Sequence, residues 1–337
     1  MKHSIISWDC SYRNFFHLID GMLWQRYPKE DFELIYVEQK SKEVANTYNH
    51  SLGLKSLEDR YNEVRDKINI KIIYLNEPDN IPIHFGKCSN AGIELAKGEI
   101  ISVIDGDLFF PPDFLEKLSD YHSKTPSAVV DIFRKDALYP AAVSSFKDWK
   151  KASYDFYKCL NTTPDKYGLV VDRYGFGGPM ISAKRNLWEK TGGYDPHVIW
   201  STNLTKAGGD HNFRMEIASG NRSVCLPDCF AVHPWHPAGI RAKRQEEATL
   251  KYYALLDELT QWSVDNKKPH HKDRKEVTDT IYKENESFFN EFITLYLEEE
   301  KKEIFYEKNM LTQKIICKYK QLRGIFGRIR RGIFSLA

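Results

Sequence analysis

The stretch Ile100–Asp113, reading Ile-Ile-Ser-Val-Ile-Asp-Gly-Asp-Leu-Phe-Phe-Pro-Pro-Asp, constrains this chain more than any other. Five nearly all-apolar residues bounded by turn-formers predict a strand buried on both faces, the kind found in parallel sheets covered by helices. Two carboxylates, Asp105 and Asp107, follow at its carboxyl end. Open α/β sheets bind ligands at that end of their strands, so paired acids there point to a cation held against a phosphate-bearing substrate. Pro111 and Pro112 then predict the start of a helix running through Leu118.

The residues before this stretch alternate in period. His3–Ser7 reads as a strand and Arg13–Gln25 as a helix, with Phe15, Phe16, Leu18, Ile19, Met22 and Leu23 at helical spacing and Tyr27-Pro28 as its stop. Phe32–Glu38 is a second strand, Asn49–Asp66 a polar loop containing a helix, Lys71–Leu75 a third strand, and Cys88–Lys97 a helix ended by Gly98. The expectation is an α/β fold with a mixed, mainly parallel sheet flanked by helices. No Gly-x-Gly-x-x-Gly and no Walker loop occurs, which argues against a dinucleotide enzyme or a P-loop ATPase.

Length and charge divide the chain. With 337 residues, 42% of them hydrophobic, it can build one large domain with an appendage. The expected divisions are 1–240 as the main domain, 241–310 as a helical extension and 311–337 as a basic amphipathic helix. The net charge is +2, yet residues 311–337 hold seven Lys/Arg and no acid, so the positive excess sits at one end. Cys10, Cys88, Cys159, Cys225, Cys229 and Cys317 are scattered and read as reduced thiols. Met1–Cys10 lacks the apolar run of a signal sequence, and no window reaches the length of a membrane span. The expected location is cytoplasmic, with the tail on the inner face of the membrane.

The order of Ser4-Ile5-Ile6-Ser7, Gln25-Arg26-Tyr27-Pro28, Phe32–Glu38, Asn90-Ala91-Gly92-Ile93, Ala96–Ile101 and Asp105-Gly106-Asp107 resembles the nucleotide-binding half of GT-A glycosyltransferases of the family 2 type. A second stretch, Phe176–Ala183 with Leu187-Trp188 and Thr191-Gly192-Gly193-Tyr194-Asp195, is similar to the acceptor-side segment of β-1,4-galactosyltransferases and bacterial chondroitin-type polymerases. The resemblance implies a GT-A fold and an inverting, metal-dependent transfer from a nucleotide-sugar, with UDP-sugar expected, to a glycan or lipid-linked glycan in surface polysaccharide synthesis. A retaining transferase on the same fold, or an idle sugar-nucleotide-binding subunit that recruits partners through its C-terminal helices, are the alternatives.

Expulsion of a nucleoside diphosphate calls for a divalent cation beside the leaving oxygen. The resemblance implies Asp107 as a direct ligand, with Asp105 directed to ribose or a metal-bound water, and a histidine after a late strand, Ser223–Val232, as a further ligand. That histidine is His233 or His236. Imidazole with carboxylates suits Mn²⁺ better than Mg²⁺. Cys225, Cys229, His233 and His236 also form a C-x₃-C-x₃-H-x₂-H run, whose spacing is too short for the usual structural zinc module.

An inverting transfer needs a base for the acceptor hydroxyl. Gly208-Gly209-Asp210-His211 stands where relatives carry Gly-Gly-Glu-Asp, which implies Asp210 as base and His211 as base or acceptor-orienting group. Asp210 is equally placed to cap a helix over Asn212–Ala218. Ser7, Glu38, Lys87 and Asn90, with His84, are the expected donor contacts, and Trp200 is a candidate platform for a sugar ring.

Arg241–Trp262 reads as a helix with Tyr252, Leu255, Leu256 and Leu259 on one face, Asn266–Arg274 as a polar linker, and Glu276–Met310 as charged helix. Lys314–Phe334 carries Ile315, Ile316, Tyr319, Leu322, Ile325, Phe326, Ile329 and Ile333 at helical spacing among basic residues. Such a helix suits an anionic membrane surface or a partner protein. Nucleic acid is not an expected partner, because no basic-aromatic surface runs through the main domain.

Overall fold

The computed structural model describes residues 1–9, 17–51, 55–78, 81, 83–137, 169–171, 180–197, 208–233 and 246–308. The expected features at Phe176–Pro179, Trp200, His236 and Lys314–Phe334 lie outside them.

Four strands, β1 (His3–Asp9), β2 (Phe32–Glu38), β3 (Ile70–Tyr74) and β4 (Ile100–Ile104), pair in parallel in the order β3-β2-β1-β4. The chain builds outward from β1 on one side and returns to its other side with β4, so the direction of winding reverses between β1 and β4. Ligands of open sheets bind outside the strand ends at such a reversal. All five residues of β4 are buried, as its composition predicts. Its second neighbour is antiparallel: β7 (Met180–Lys184) pairs with β4 from Ile100↔Lys184 to Ile104↔Met180. β5 (Val130–Ala137) meets β7 at its start and β6 (Leu169–Val171) at its end, both antiparallel, and runs parallel to β8 (Val224–His233). Among the described residues this makes one mixed, eight-stranded sheet.

Side chains alternate across the sheet with the two-residue period of a strand. Ile5, Leu34, Tyr36 and Ile104 pack on one face beneath α1 (His17–Leu23), α3 (Leu57–Val64) and α5 (Phe114–Lys124). Ile6, Ile35, Val37, Ile101 and Val103 pack on the other beneath α4 (Phe85–Leu95), α6 (Arg185–Thr191) and α7 (Gly208–Ser219). Each such side chain contributes on the order of 1.5–3 kcal/mol through burial. The region expected as a loop with a helix, Asn49–Asp66, holds α3, and α2 (Lys42–Ser51) runs into its start. Ser56 starts the second through a capping box, its hydroxyl accepting from Asp59 N while the Asp59 carboxylate accepts from Ser56 N.

Pro227-Asp228 does not break the late strand. It produces a register shift opposite Asp131–Phe133, with Asp228 at φ +52°, and β8 continues to His233.

The C-terminal region forms a third apolar cluster. Tyr252, Leu256 and Leu259 of α8 (Glu246–Asn266) meet Ile281 of α9 (Lys275–Glu284) and Phe289 and Phe292 of α10 (Glu286–Lys308). Phe85 packs against both this cluster and the α4 face of the sheet. The expected linker is ordered instead: its last residues form a 3-10 turn, His271–Arg274, started by the His270 imidazole accepting from Lys272 N.

Two buried histidines make the fold acid-sensitive. His3 and His122 are fully buried, and neither His3 ring nitrogen has a hydrogen-bond partner. Burial, reinforced by the neighbouring charges, lowers His3 to about 3 and His122 to about 4. Because these values lie below that of an unfolded histidine, the unfolded chain gains protons first as pH falls through about 6.5, and stability drops from there toward pH 4. From pH 7 to pH 5 the loss is about 2 kcal/mol per histidine. Thermal unfolding across this range reads it; His3→Phe should reduce the fall by about 2 kcal/mol, and an unchanged fall contradicts the assignment.

Candidate active site

Three strand ends converge where the winding reverses. Asp105-Gly106-Asp107 leaves β4 in a tight turn, with Leu108 N donating to Asp105 O at 3.4 Å. The turn lies directly against β1 and β2: a Cβ at Gly106 would stand 2.6 Å from the Tyr36 hydroxyl oxygen and 3.1 Å from Ser7 Oγ. Only glycine lets the backbone come this close. Ser7 is buried and its hydroxyl has no hydrogen-bond partner among the described residues. Glu38, buried at the end of β2, accepts from Lys40 N at 2.8 Å.

The late strand reaches this turn through a local bridge. Phe109 and Val232 exchange backbone hydrogen bonds of 2.8 and 2.9 Å, which sets the next residue of β8, His233, beside Asp107. His233 Nε2 is 3.0 Å from Asp107 Oδ2, and the two side chains remain 19% and 14% exposed. A carboxylate and an imidazole, joined across 126 positions of sequence, thus face solvent at the carboxyl end of the sheet.

This pair suits a divalent ion. Ligands about 2.0–2.2 Å from one metal and adjacent in its coordination sphere stand about 3 Å apart, as these atoms do. Asp105 is not gathered with them: among the described residues no three His, Cys, Asp or Glu side chains form a group able to hold an ion. That leaves Asp105 to ribose or a metal-bound water, as the resemblance implies, and the remaining coordination positions would fall to substrate oxygens and water. Cys225 is half-buried and Cys229 buried, and burial pushes both thiols up to about 12, consistent with inert structural sulfurs.

Three expected donor contacts have partners within the fold. Asn90 clamps Tyr194 at both ends, its Nδ2 donating to Tyr194 O at 2.9 Å and its Oδ1 accepting from Tyr194 N at 2.8 Å. Its amide is thereby spent on the Gly193-Tyr194 turn. Lys87 pairs with Glu77, and His84 caps α4 by accepting from Lys87 N at 3.0 Å.

Asp210 differs most from its expected role as a base. Arg274 Nη1 donates to Oδ1 at 2.6 Å and Nη2 to Oδ2 at 2.8 Å, Arg214 Nε donates to Oδ2 at 3.2 Å, and Thr260 Oγ1 donates to Oδ1 at 3.0 Å. Four donors fill the lone pairs of a carboxylate, leaving none for an acceptor hydroxyl. Burial pushes its pKa up, but the Arg274 and Arg214 charges outweigh burial and hold it well below the usual carboxylate range. Asp210 is thus an anchor. His211 stacks on Tyr194 at 4.1 Å and on Trp188 at 5.0 Å, with Nδ1 3.1 Å from Arg214 Nη2. Burial and the Arg214 charge keep it neutral, so Nδ1 accepts that bond.

Arg214, Arg274 and Asp195 were not legible as site residues. Arg214 stands four positions after Asp210, a spacing that reads equally as an exposed helical ion pair. Arg274 lies in a stretch whose polar composition resembles a linker.

The glycosyl transferase family 2 model matches residues 19–142, which contain the Asp105–Asp107 turn. With the strand order above, the fold is GT-A. A glucosyl-dolichyl phosphate glucuronosyltransferase of Haloferax volcanii is 24% identical over 227 residues, covering 64% of this chain and 58% of that protein. A crystal structure of S. aureus TarS, residues 1–349, superposes with TM-score 0.47 at 17% identity, covering 69% of this chain and 60% of that one. The mannosyltransferase PcManGT of Pyrobaculum calidifontis, in complex with GDP-Man and Mn²⁺, gives TM-score 0.46 at 19% identity, covering 75% and 63%. The chain thus spans less than two thirds of the length of these relatives.

Among the described residues, no helix is long and apolar enough to cross a membrane.

Proposed function

We infer that this protein transfers a sugar from a nucleoside-diphosphate sugar to a glycan or lipid-linked glycan, with a divalent cation bound by Asp107 and His233. The observation that carries the reading is the 3.0 Å Asp107–His233 pair at the end of β4, inside the reversal crevice of a family 2 domain. A bound ion there supplies positive charge against the diphosphate as it leaves. Carboxylate plus imidazole favours Mn²⁺ over Mg²⁺. The buried Ser7 hydroxyl and Glu38, at the neighbouring strand ends, are placed to receive the nucleoside, and Asp105 its ribose or a water. Inversion at the anomeric carbon follows from the family resemblance and is read from the product anomer by NMR.

The name of the Haloferax volcanii relative supports a lipid-phosphate-linked sugar as acceptor, and the basic amphipathic pattern of Lys314–Phe334 supports work at an anionic membrane surface. Deleting residues 311–337 should abolish binding to anionic vesicles; unchanged binding contradicts the membrane contact. The function is tested by incubating the protein with UDP- and GDP-sugars, Mn²⁺ and lipid-linked or oligosaccharide acceptors. Release of one nucleoside diphosphate with growth of the acceptor is expected. Saturable donor binding without turnover on any acceptor would instead favour the idle binding subunit.

A further inference from the structure

Arg274 belongs to the C-terminal helical region, yet it is fully buried in the main domain's charge network. Its Nε and Nη2 donate to Asp195 Oδ2 at 3.1 and 2.8 Å, while Nη1 and Nη2 reach Asp210 at 2.6 and 2.8 Å. One guanidinium thereby ties the end of the Gly192–Asp195 turn to the first turn of α7. Arg214 closes the network from within α7, donating to Thr191 O and Gly193 O at 3.0 Å and to Pro269 O, in the C-terminal region, at 3.1 Å. Two arginines and two aspartates leave the cluster neutral. The same interface repeats the contact by shape: a Cβ at Gly192, which sits at φ +68°, would stand 2.5 Å from the His270 ring.

What this network fixes is the ground behind the transfer site. The Gly192–Asp195 turn carries Tyr194, which Asn90 clamps at both backbone atoms, which His211 stacks against, and whose ring lies 6.1 Å from that of Trp188. Trp188 Nε1 in turn donates to Ile101 O at 3.1 Å, so the Arg274 network backs β4, the strand that ends in the Asp-Gly-Asp turn. None of Arg274, Thr260 or Pro269 falls in the matched family 2 segment.

We propose that Arg274 is a positioning residue for sugar transfer, so that the C-terminal helices complete the acceptor side of the site by holding Asp195 and Asp210 in one geometry. This rests on the transferase reading above. Arginine is required because its planar fork serves two carboxylates at once, whereas a lysine ammonium meets them as a single point charge. A displacement of about 1 Å in a supporting element costs on the order of a hundredfold in rate.

The test uses the full chain with Arg274→Lys and the charge-balanced pair Arg274→Met with Asp195→Asn, which leaves Arg214 and Asp210 to neutralise each other. Assays run well below the unfolding midpoint of each variant. For both, UDP or GDP binding in Mn²⁺ should stay within about twofold of wild type while kcat with acceptor falls on the order of a hundredfold. A purely structural role lowers the unfolding midpoint but leaves the kcat of folded protein unchanged. Wild-type kcat in either folded variant overturns the proposal. If Arg274→Lys does not fold, the balanced pair decides alone. A wild-type protein that releases no nucleoside diphosphate with any donor fails the transferase reading itself, a result distinct from active wild type with equally active variants.

Discussion

Replacing Asp107 by alanine should lower transfer at least about a hundredfold while leaving the unfolding temperature nearly unchanged. In the function proposed above its carboxylate is the negative ligand of the cation that meets the diphosphate, and losing one such stabiliser costs about 10²–10³ in rate. The fold loses little, because the side chain is part-exposed and its neighbour His233 can turn to water. His233 is held beside the turn by backbone bonds of Phe109 and Val232, which the substitution does not touch. A variant retaining wild-type turnover in Mn²⁺ would remove Asp107 from the site.

Asp210→Asn should act first on the fold, lowering the unfolding temperature. It leaves Arg274 and Arg214, both fully buried, with Asp195 as the remaining carboxylate of the network. Breaking a buried pair by removing one partner costs about 3–5 kcal/mol, or roughly 5 °C in unfolding temperature for a chain of this size. The contribution is present at neutral pH: Asp210 is held ionised in the fold, so its stabilisation is intact above the pKa of an unfolded aspartate and is lost only as pH falls below about 4. Acid loss that begins near pH 6 therefore belongs to the buried histidines, His3, His122 and His211 among them. An Asp210→Asn protein with unchanged unfolding temperature and abolished transfer would return Asp210 to the role of base.

The sequence pattern and the structure agree where local physics decides. The all-apolar run of β4, the alternation around it and the glycine between two acids are each imposed by neighbours within a few residues, so the sheet and the Asp105–Asp107 turn could be read directly. The placement of His233 beside Asp107 follows from the Phe109–Val232 bridge, a contact no local pattern announces. The misreadings concern long-range partners. Asp210 looks like a base or a cap until the guanidinium of Arg274, 64 positions later, fills its lone pairs. Asn90 resembles a donor contact until Tyr194 takes both ends of its amide. Asn266–Arg274 has the composition of a linker because its burial comes from the domain it docks on, not from its own periodicity.

The central claim is that Asp107 and His233 hold the cation through which the nucleotide binds. Calorimetric titration of UDP and GDP into wild type, Asp107→Ala and His233→Ala, each with Mn²⁺ and with EDTA, tests it most directly. One nucleotide should bind wild type in Mn²⁺ and weaken at least about tenfold, or 1.4 kcal/mol, in EDTA and in either variant. Equal affinity in EDTA and in Asp107→Ala would contradict the account.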